Sequence, residues 1–315
     1  MAFDLHLDEL KKFKPKLTRE KDFFEFWKKT LKESASEPLQ AKIEKQTYPV
    51  EKIKVFKAQY RGFKNAKISG KYLVPNGTGR FPAILFLHGY NGPHDAISDF
   101  LGWVLQGFAV FSIDVRGQTG DTPDSTPYSI GAISGHMTKG ILDKNEYYYR
   151  GVYADCIRAL DFLCQRGEVD SNRIGVMGGS QGGGLTIAVC ALDSRPKAGV
   201  AEIPFLCNFL RSVDVSGTAP YTEIKGFIRM RSQYEKQVYR TLSYFDGMNL
   251  ADRIKCPMLL SAGLQDETCP PSGVFSVYNH LKCKKEIATN TFAKHESWNL
   301  IRERRLEWIV KYLKG

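Results

Sequence analysis

The rhythm of apolar and polar positions changes along the chain, and each change marks a different kind of element. Over 20–34, Phe23, Phe24, Phe26, Trp27 and Leu31 stand among charges at close to helical spacing, which predicts an amphipathic helix. Segments 52–60 and 66–74 are β-prone, with Tyr60-Arg61-Gly62 and Lys64-Asn65 as turn material between them, and predict an antiparallel hairpin at a sheet edge. From Phe81 onward, unbroken apolar runs at 83–87, 108–113, 174–177, 198–203, 258–262 and 286–292 alternate with helical stretches at 97–106, 153–165, 182–192, 272–281 and 298–313. Short runs without polar alternation are strands buried on both faces, the mark of a parallel sheet with helical crossovers. The fold class is therefore α/β: a mostly parallel central sheet flanked by helices, preceded over 1–75 by the helix and the edge hairpin.

Two stretches interrupt this rhythm. Residues 118–149 are rich in Gly, Pro, Ser and Thr, and 207–249 carry a mixed helical pattern. Insertions at the carboxyl ends of such strands shape substrate pockets, so both are expected to form rim or lid. A single domain over 1–315 suffices, because α/β folds reach this size around one core.

The chemistry enters at Gly178-Gly179-Ser180-Gln181-Gly182, a G-x-S-x-G motif placed between a buried strand and a helix of small residues. A nucleophilic serine needs that context, since it sits on a sharp turn where side chains at the flanking glycines would strike strand and helix. A phosphate cradle does not fit, as G-x-x-x-x-G-K-[ST] is absent and a G-x-G-x-x-G frame from Gly182 would need glycine where Ile187 stands. This is the pattern of an α/β-hydrolase, whose triad runs Ser, Asp or Glu, His, each at a strand's carboxyl end. After the run 258–262 the first acid is Asp266, and after 286–292 comes His295. Ser180 is then the nucleophile, His295 the base and Asp266 the residue that orients and stabilises the imidazole. Glu267 and His280 are the rivals for the last two roles. Activity is expected to fall in acid, because a protonated His295 cannot act as base.

The amide of Gln181 at the helix start and that of Tyr90, in His88-Gly89-Tyr90 after the run 83–87, are the candidate oxyanion donors. His88 reads as a hydrogen-bonded core histidine, since the base position is already filled.

Composition narrows the setting. Hydrophobic residues make up 43% and charged residues 25%, which excludes disorder and a membrane class. The formal charge of +11 comes from bases interleaved with acids, apart from a cluster at Lys11, Lys12, Lys14 and Lys16, so no nucleic-acid partner is expected. Asp4, His6, Asp8 and Glu9 break up the first ten residues, so neither a secretion signal nor a membrane partner is expected. Seven cysteines, odd in number, without a C-x-x-C pair and mostly in apolar context, read as reduced thiols in a cytoplasmic protein.

Three motifs give the chain a closer likeness: Arg116-Gly117-Gln118, Gly178-Gly179-Ser180-Gln181-Gly182 and His295-Glu296. With 3–10, Gly140-Ile141-Leu142 through Tyr147-Tyr148-Tyr149-Arg150, Pro204-Phe205-Leu206 and Cys269-Pro270-Pro271, they resemble the acetyl xylan esterases and cephalosporin C deacetylases of carbohydrate esterase family seven. The resemblance implies a serine esterase that removes acetyl groups from short xylo-oligosaccharides and from cephalosporin C, with no cofactor and no metal. It implies the triad Ser180, Asp266 and His295, oxyanion donors at Tyr90 and Gln181, and supporting roles for Arg116, Gln118 and Glu296. It further implies a homohexamer, with the amino-terminal helix and hairpin serving assembly. Thr119 stands where many relatives carry glycine, so the pocket rim departs from theirs. A broader short-chain carboxylesterase, a peptidase or a lipase of the same fold, and a non-catalytic binding module remain the alternatives.

Overall fold

In the computed structural model, residues 4–92, 96–130 and 133–315 are described; residue 3, at the start of the amino-terminal likeness, and 131–132, within 118–149, lie outside them. The strands are β1 (Lys42–Gln46), β2 (Ile53–Arg61), β3 (Lys67–Pro75), β4 (Phe81–Leu87), β5 (Ala109–Ile113), β6 (Val169–Gly179), β7 (Ala198–Glu202), β8 (Met258–Gly263) and β9 (Lys285–Asn290). They form one sheet in the order β1-β2-β3-β5-β4-β6-β7-β8-β9. The pairs from β5 through β4 to β9 are all parallel, whereas β1, β2, β3 and β5 pair antiparallel.

The hairpin predicted from the alternating segments is β2 and β3, in register from Ile53 opposite Pro75 to Arg61 opposite Lys67. Lys64 and Asn65 at its turn have φ of 52° and 58°, left-handed values that a tight reversal requires. The hairpin does not form the sheet edge as expected, since that place is taken by β1, whose residues Lys-Ile-Glu-Lys-Gln contain no apolar run to announce it.

Side-chain parity along the strands splits the core into two layers. Ala83, Leu85 and Leu87 of β4 and Phe111 and Ile113 of β5 face one layer, whereas Ile84 and Val110 face the other. Helices Phe23–Ser36, Tyr148–Cys164 and Gln181–Leu192 pack on the first, and Asn299–Leu313 packs on the second through Ile301, Trp308 and Ile309. Helix Tyr148–Cys164 starts earlier than its predicted 153, taking in two tyrosines assigned to the segment 118–149. It is buried nearly all round, so its first turn has no polar face to announce a helix. The stretch 97–106 is a short 3-10 turn, Ile97–Phe100, followed by the helix Leu101–Leu105. Segment 207–249 folds into helices Phe209–Val215, Tyr221–Met230, Glu235–Ser243 and Gly247–Leu250. Among the described residues, no helix is long and apolar enough to cross a membrane.

Candidate active site

β6 and the helix Gln181–Leu192 meet at Ser180, which holds φ 54° and ψ −117°. A non-glycine residue pays about 1–3 kcal/mol for such a conformation, and the surroundings must enforce it. They do so through main-chain bonds: the Ser180 amide donates to the Glu202 carbonyl at 2.9 Å, and the Ser180 carbonyl accepts from Gly184 at 3.1 Å and Phe205 at 2.9 Å. A Cβ on Gly178 or Gly182 would drive into the Leu87 carbonyl oxygen, so glycine lets helix and strand approach closely enough to make the turn.

The three residues read as a triad are brought together from three strand ends. Nε2 of His295 lies 2.9 Å from Ser180 Oγ, and its Nδ1 lies 2.8 Å from Asp266 Oδ2. Asp266 is fully buried, and its Oδ1 accepts from the amides of Thr268 at 2.9 Å and Cys269 at 2.8 Å. Its carboxylate is thus fixed from one side and directed at the imidazole from the other, which places the ring proton on Nδ1 and leaves Nε2 free to accept. Glu267 is exposed, and His280 is tied to the Ser276 carbonyl within its own helix, so neither rival reaches Ser180. His88 Nε2 accepts from the Val115 amide at 2.9 Å, in keeping with its reading as a structural histidine.

Asp266, Cys269 and His295 have donor atoms within 4.8 Å of one another, a spacing that could hold a metal ion. Their geometry already has another explanation, since the hydrogen bonds just described engage the carboxylate and both ring nitrogens. Burial pushes the Cys269 thiol well above its ordinary range, so it stands beside Ser180 as a neutral group.

Gln181 follows Ser180 directly, and a Cβ on Gly89, the residue before Tyr90, would lie 4.0 Å from the Ser180 Cβ; among the described residues neither the Tyr90 nor the Gln181 amide has a main-chain acceptor. Gln118 links the two. Its Oε1 accepts from the Asn91 amide at 3.0 Å, next to Tyr90, while its Nε2 donates to Gln181 Oε1 at 2.8 Å. Gln181 Nε2 donates back to Gln118 Oε1, and the Tyr149 hydroxyl donates to Gln181 Oε1 at 2.9 Å. Buried and mutually satisfied, this amide pair ties the turn at Asn91 to the start of the helix Gln181–Leu192. Thr119 binds the Gly92 carbonyl on the same turn.

Arg116 acts one layer further out. It grips Asp155 with two bonds of 2.7 Å and donates to the Phe63 carbonyl at 3.0 Å, joining the hairpin turn to helix Tyr148–Cys164. Burial opposes its charge, but Asp155 more than compensates and keeps the guanidinium protonated. Glu296 is exposed, and among the described residues its carboxylate reaches back only to the Lys294 amide at 3.4 Å. The group that ties down the His295 loop is instead Glu202, which accepts from Ser297 Oγ and from Arg305 at 2.8 Å. Glu202 also offers its carbonyl to Ser180, so one residue touches both the nucleophile turn and the base loop. Sequence reasoning passed over it because Glu202 falls inside the run 198–203 and reads there as part of the strand. Glu223 was missed likewise: its carboxylate meets the Tyr90 hydroxyl at 2.9 and 3.0 Å across 133 residues of chain.

With the geometry in place, known proteins agree on its company. The family model described as acetyl xylan esterase (AXE1) matches residues 1–312. An acetyl xylan esterase from Paenibacillus sp. R4 is 46% identical and superposes with a TM-score of 0.96, covering 98% of this chain and 100% of its own. Acetyl xylan esterase 1 from Thermoanaerobacterium sp. JW/SL YS485 is 32% identical with a TM-score of 0.94, over 98% of this chain and 99% of its own. Acetyl esterase Axe7A of Xylanibacter ruminicola is 27% identical over 96% of this chain and 69% of its own length.

Proposed function

The chain belongs to the acetyl xylan esterase family of the α/β-hydrolase fold, and from that premise we propose that Ser180, His295 and Asp266 deacetylate acetylated xylo-oligosaccharides through an acetyl-enzyme. One observation carries the residue assignment: the unbroken relay from Ser180 Oγ to His295 Nε2 at 2.9 Å and from Nδ1 to Asp266 at 2.8 Å.

In the proposed cycle, Ser180 Oγ attacks the acetyl carbonyl as His295 Nε2 takes its proton. The negative oxygen is received by the Tyr90 and Gln181 amides, preorganised by the Gln118 bridge so that no reorientation is needed when charge develops. Collapse breaks the bond to the sugar oxygen, and the imidazolium returns the proton to that leaving group. Water then enters and loses its proton to His295 as it attacks the acetyl-enzyme, and collapse returns that proton from the imidazolium to Ser180 Oγ as acetic acid departs. Asp266 stabilises the imidazolium through its bond to Nδ1.

Cephalosporin C is proposed as a second substrate, since its acetoxymethyl group presents the same carbonyl to Ser180 and differs only in the departing alcohol. A cytoplasmic setting is proposed on the seven unpaired cysteines.

The test is a panel of acetylated xylo-oligosaccharides, cephalosporin C and aryl esters of rising acyl length, with Ser180→Ala as control. Acetyl esters should turn over fastest and the variant should be inactive. Faster hydrolysis of butyryl or longer esters would sink the acetyl preference, and a serine-reactive phosphonate that fails to label Ser180 would sink the nucleophile.

A further inference from the structure

We infer that Glu223 is a positioning residue of the oxyanion hole, holding in place the loop whose Tyr90 amide receives the developing charge. This rests on the reading of Tyr90 as an oxyanion donor.

Glu223 lies on the helix Tyr221–Met230, far along the chain from the loop it holds. Both of its oxygens accept from the Tyr90 hydroxyl, at 2.9 and 3.0 Å, and Oε2 also accepts from the Met137 amide at 3.1 Å. The Tyr90 hydroxyl in turn accepts from the His136 amide. A single carboxylate therefore gathers the loop 88–92 and the turn 133–137. That turn is shaped around it: Gly135 has φ 56°, and a Cβ there would collide with the Glu223 carboxylate. Glu202 on the far side of the site has Arg305 as counter-charge, but among the described residues no Lys or Arg pairs with Glu223. Burial pushes its pKa up, and its carboxylate is held in place by hydrogen bonds from the Tyr90 hydroxyl and the Met137 amide.

The other anchors of the loop are independent of this one. His88 is fixed by Val115 and Asn91 by Gln118, so the loop stays attached at both sides when Glu223 is altered. Tyr90 itself is tethered through its side chain, with edge contacts to His136 and Phe205 and the bond to Glu223 at its tip. Releasing the tip leaves the fold in place and lets the Tyr90 amide drift. A displacement of ~1 Å at a reacting group can cost up to ~100-fold in rate.

The experiment compares Glu223→Gln, Tyr90→Phe and the double variant with the wild type, measuring kcat and KM on an aryl acetate and an acetylated xylo-oligosaccharide, together with the thermal midpoint. Glutamine matches glutamate in shape, and Tyr90→Phe cuts the same bond from the other end. Each single change should lower kcat about 10- to 100-fold with KM within about 2-fold. The double variant should be no worse than the poorer single one, because both remove one interaction. Wild-type kcat in Glu223→Gln, a loss confined to KM, or multiplicative losses in the double variant would each overturn the inference. Ser180→Ala is carried alongside: if it stays active, the underlying reading of the site fails, an outcome distinct from a failure at Glu223.

Discussion

At Asp266 a single proton is at stake. Its Oδ1 is held by the Thr268 and Cys269 amides, so in Asp266→Asn the amide oxygen takes that side and the NH2 group faces His295 Nδ1. The NH2 must donate there, which moves the ring proton to Nε2 and removes the acceptor that Ser180 needs. We expect kcat to fall by ~10³–10⁴-fold with the fold intact, checked by steady-state kinetics beside a circular dichroism spectrum. His136 provides a different test. It is stacked on Tyr148 at 4.9 Å, and burial, aided by Lys139, lowers its pKa from 6.5 to about 4. The unfolded chain takes up this proton near 6.5 and the folded chain only near 4, so the histidine costs stability as pH falls through that window. His136 Nδ1 is buried without a hydrogen-bond partner among the described residues, so His136→Phe should preserve the stacking. The urea midpoint of that variant should fall less than the wild type's between about pH 7 and about pH 5. An equal fall in both would show that His136 does not titrate differently on folding.

For the elements, the junction of β6 with helix Gln181–Leu192 is the most exacting. Gly182→Ala sets a methyl group against the Leu87 carbonyl, and neither strand β4 nor the helix can withdraw without disturbing the sheet. Overpacking of this kind costs about 1–3 kcal/mol, and here it also shifts the Gln181 amide. Both a lower urea midpoint and a loss of kcat are expected, and normal activity would contradict the close packing. The same junction shows why much of the fold could be read from sequence. Apolar runs such as 83–87 and 258–262 are buried on both faces, and that leaves a continuous signal which β8 matches to within one residue and β4 to within two. β1 left no such signal, because Lys42, Glu44 and Lys45 point to solvent at a sheet edge, where charge serves to discourage further pairing. The triad was legible because chemistry fixes the residue type and topology fixes its strand end. Glu202 and Glu223 were not, since an acid that holds a loop from a distant helix or strand is defined by contacts formed only on folding. Glu296 lay beside His295 in sequence, but adjacency in a chain does not aim a side chain, and Ser297 makes the bracing contact instead.

For the whole molecule, the amino-terminal extension poses the remaining question. Helix Phe23–Ser36 earns its place on the monomer by burying Phe23, Phe26 and Trp27 against Tyr244 and Phe245, and the Trp27 indole donates to the Tyr244 carbonyl. Its other face leaves Phe24 45% exposed, and β1, later in the extension, leaves Ile43 39% exposed. We propose that through these exposed apolar side chains the extension serves the homohexamer that the family resemblance implies. Closed assemblies bury such surface between symmetry-related copies, so contacts at one patch recur at every interface of that type. Light scattering should then give a sixfold multiple of 35.6 kDa for the wild type. Phe24→Asp with Ile43→Asp should reduce that mass, because two carboxylates per copy would have to be desolvated at each repeat of the contact. Neither residue supports the Ser180 site, so kcat per chain should survive the dissociation. A wild type that runs as a single 35.6 kDa chain would remove assembly from the account and leave the extension as a brace for helix Tyr148–Cys164, on which Trp27 stacks through Tyr153 at 5.5 Å.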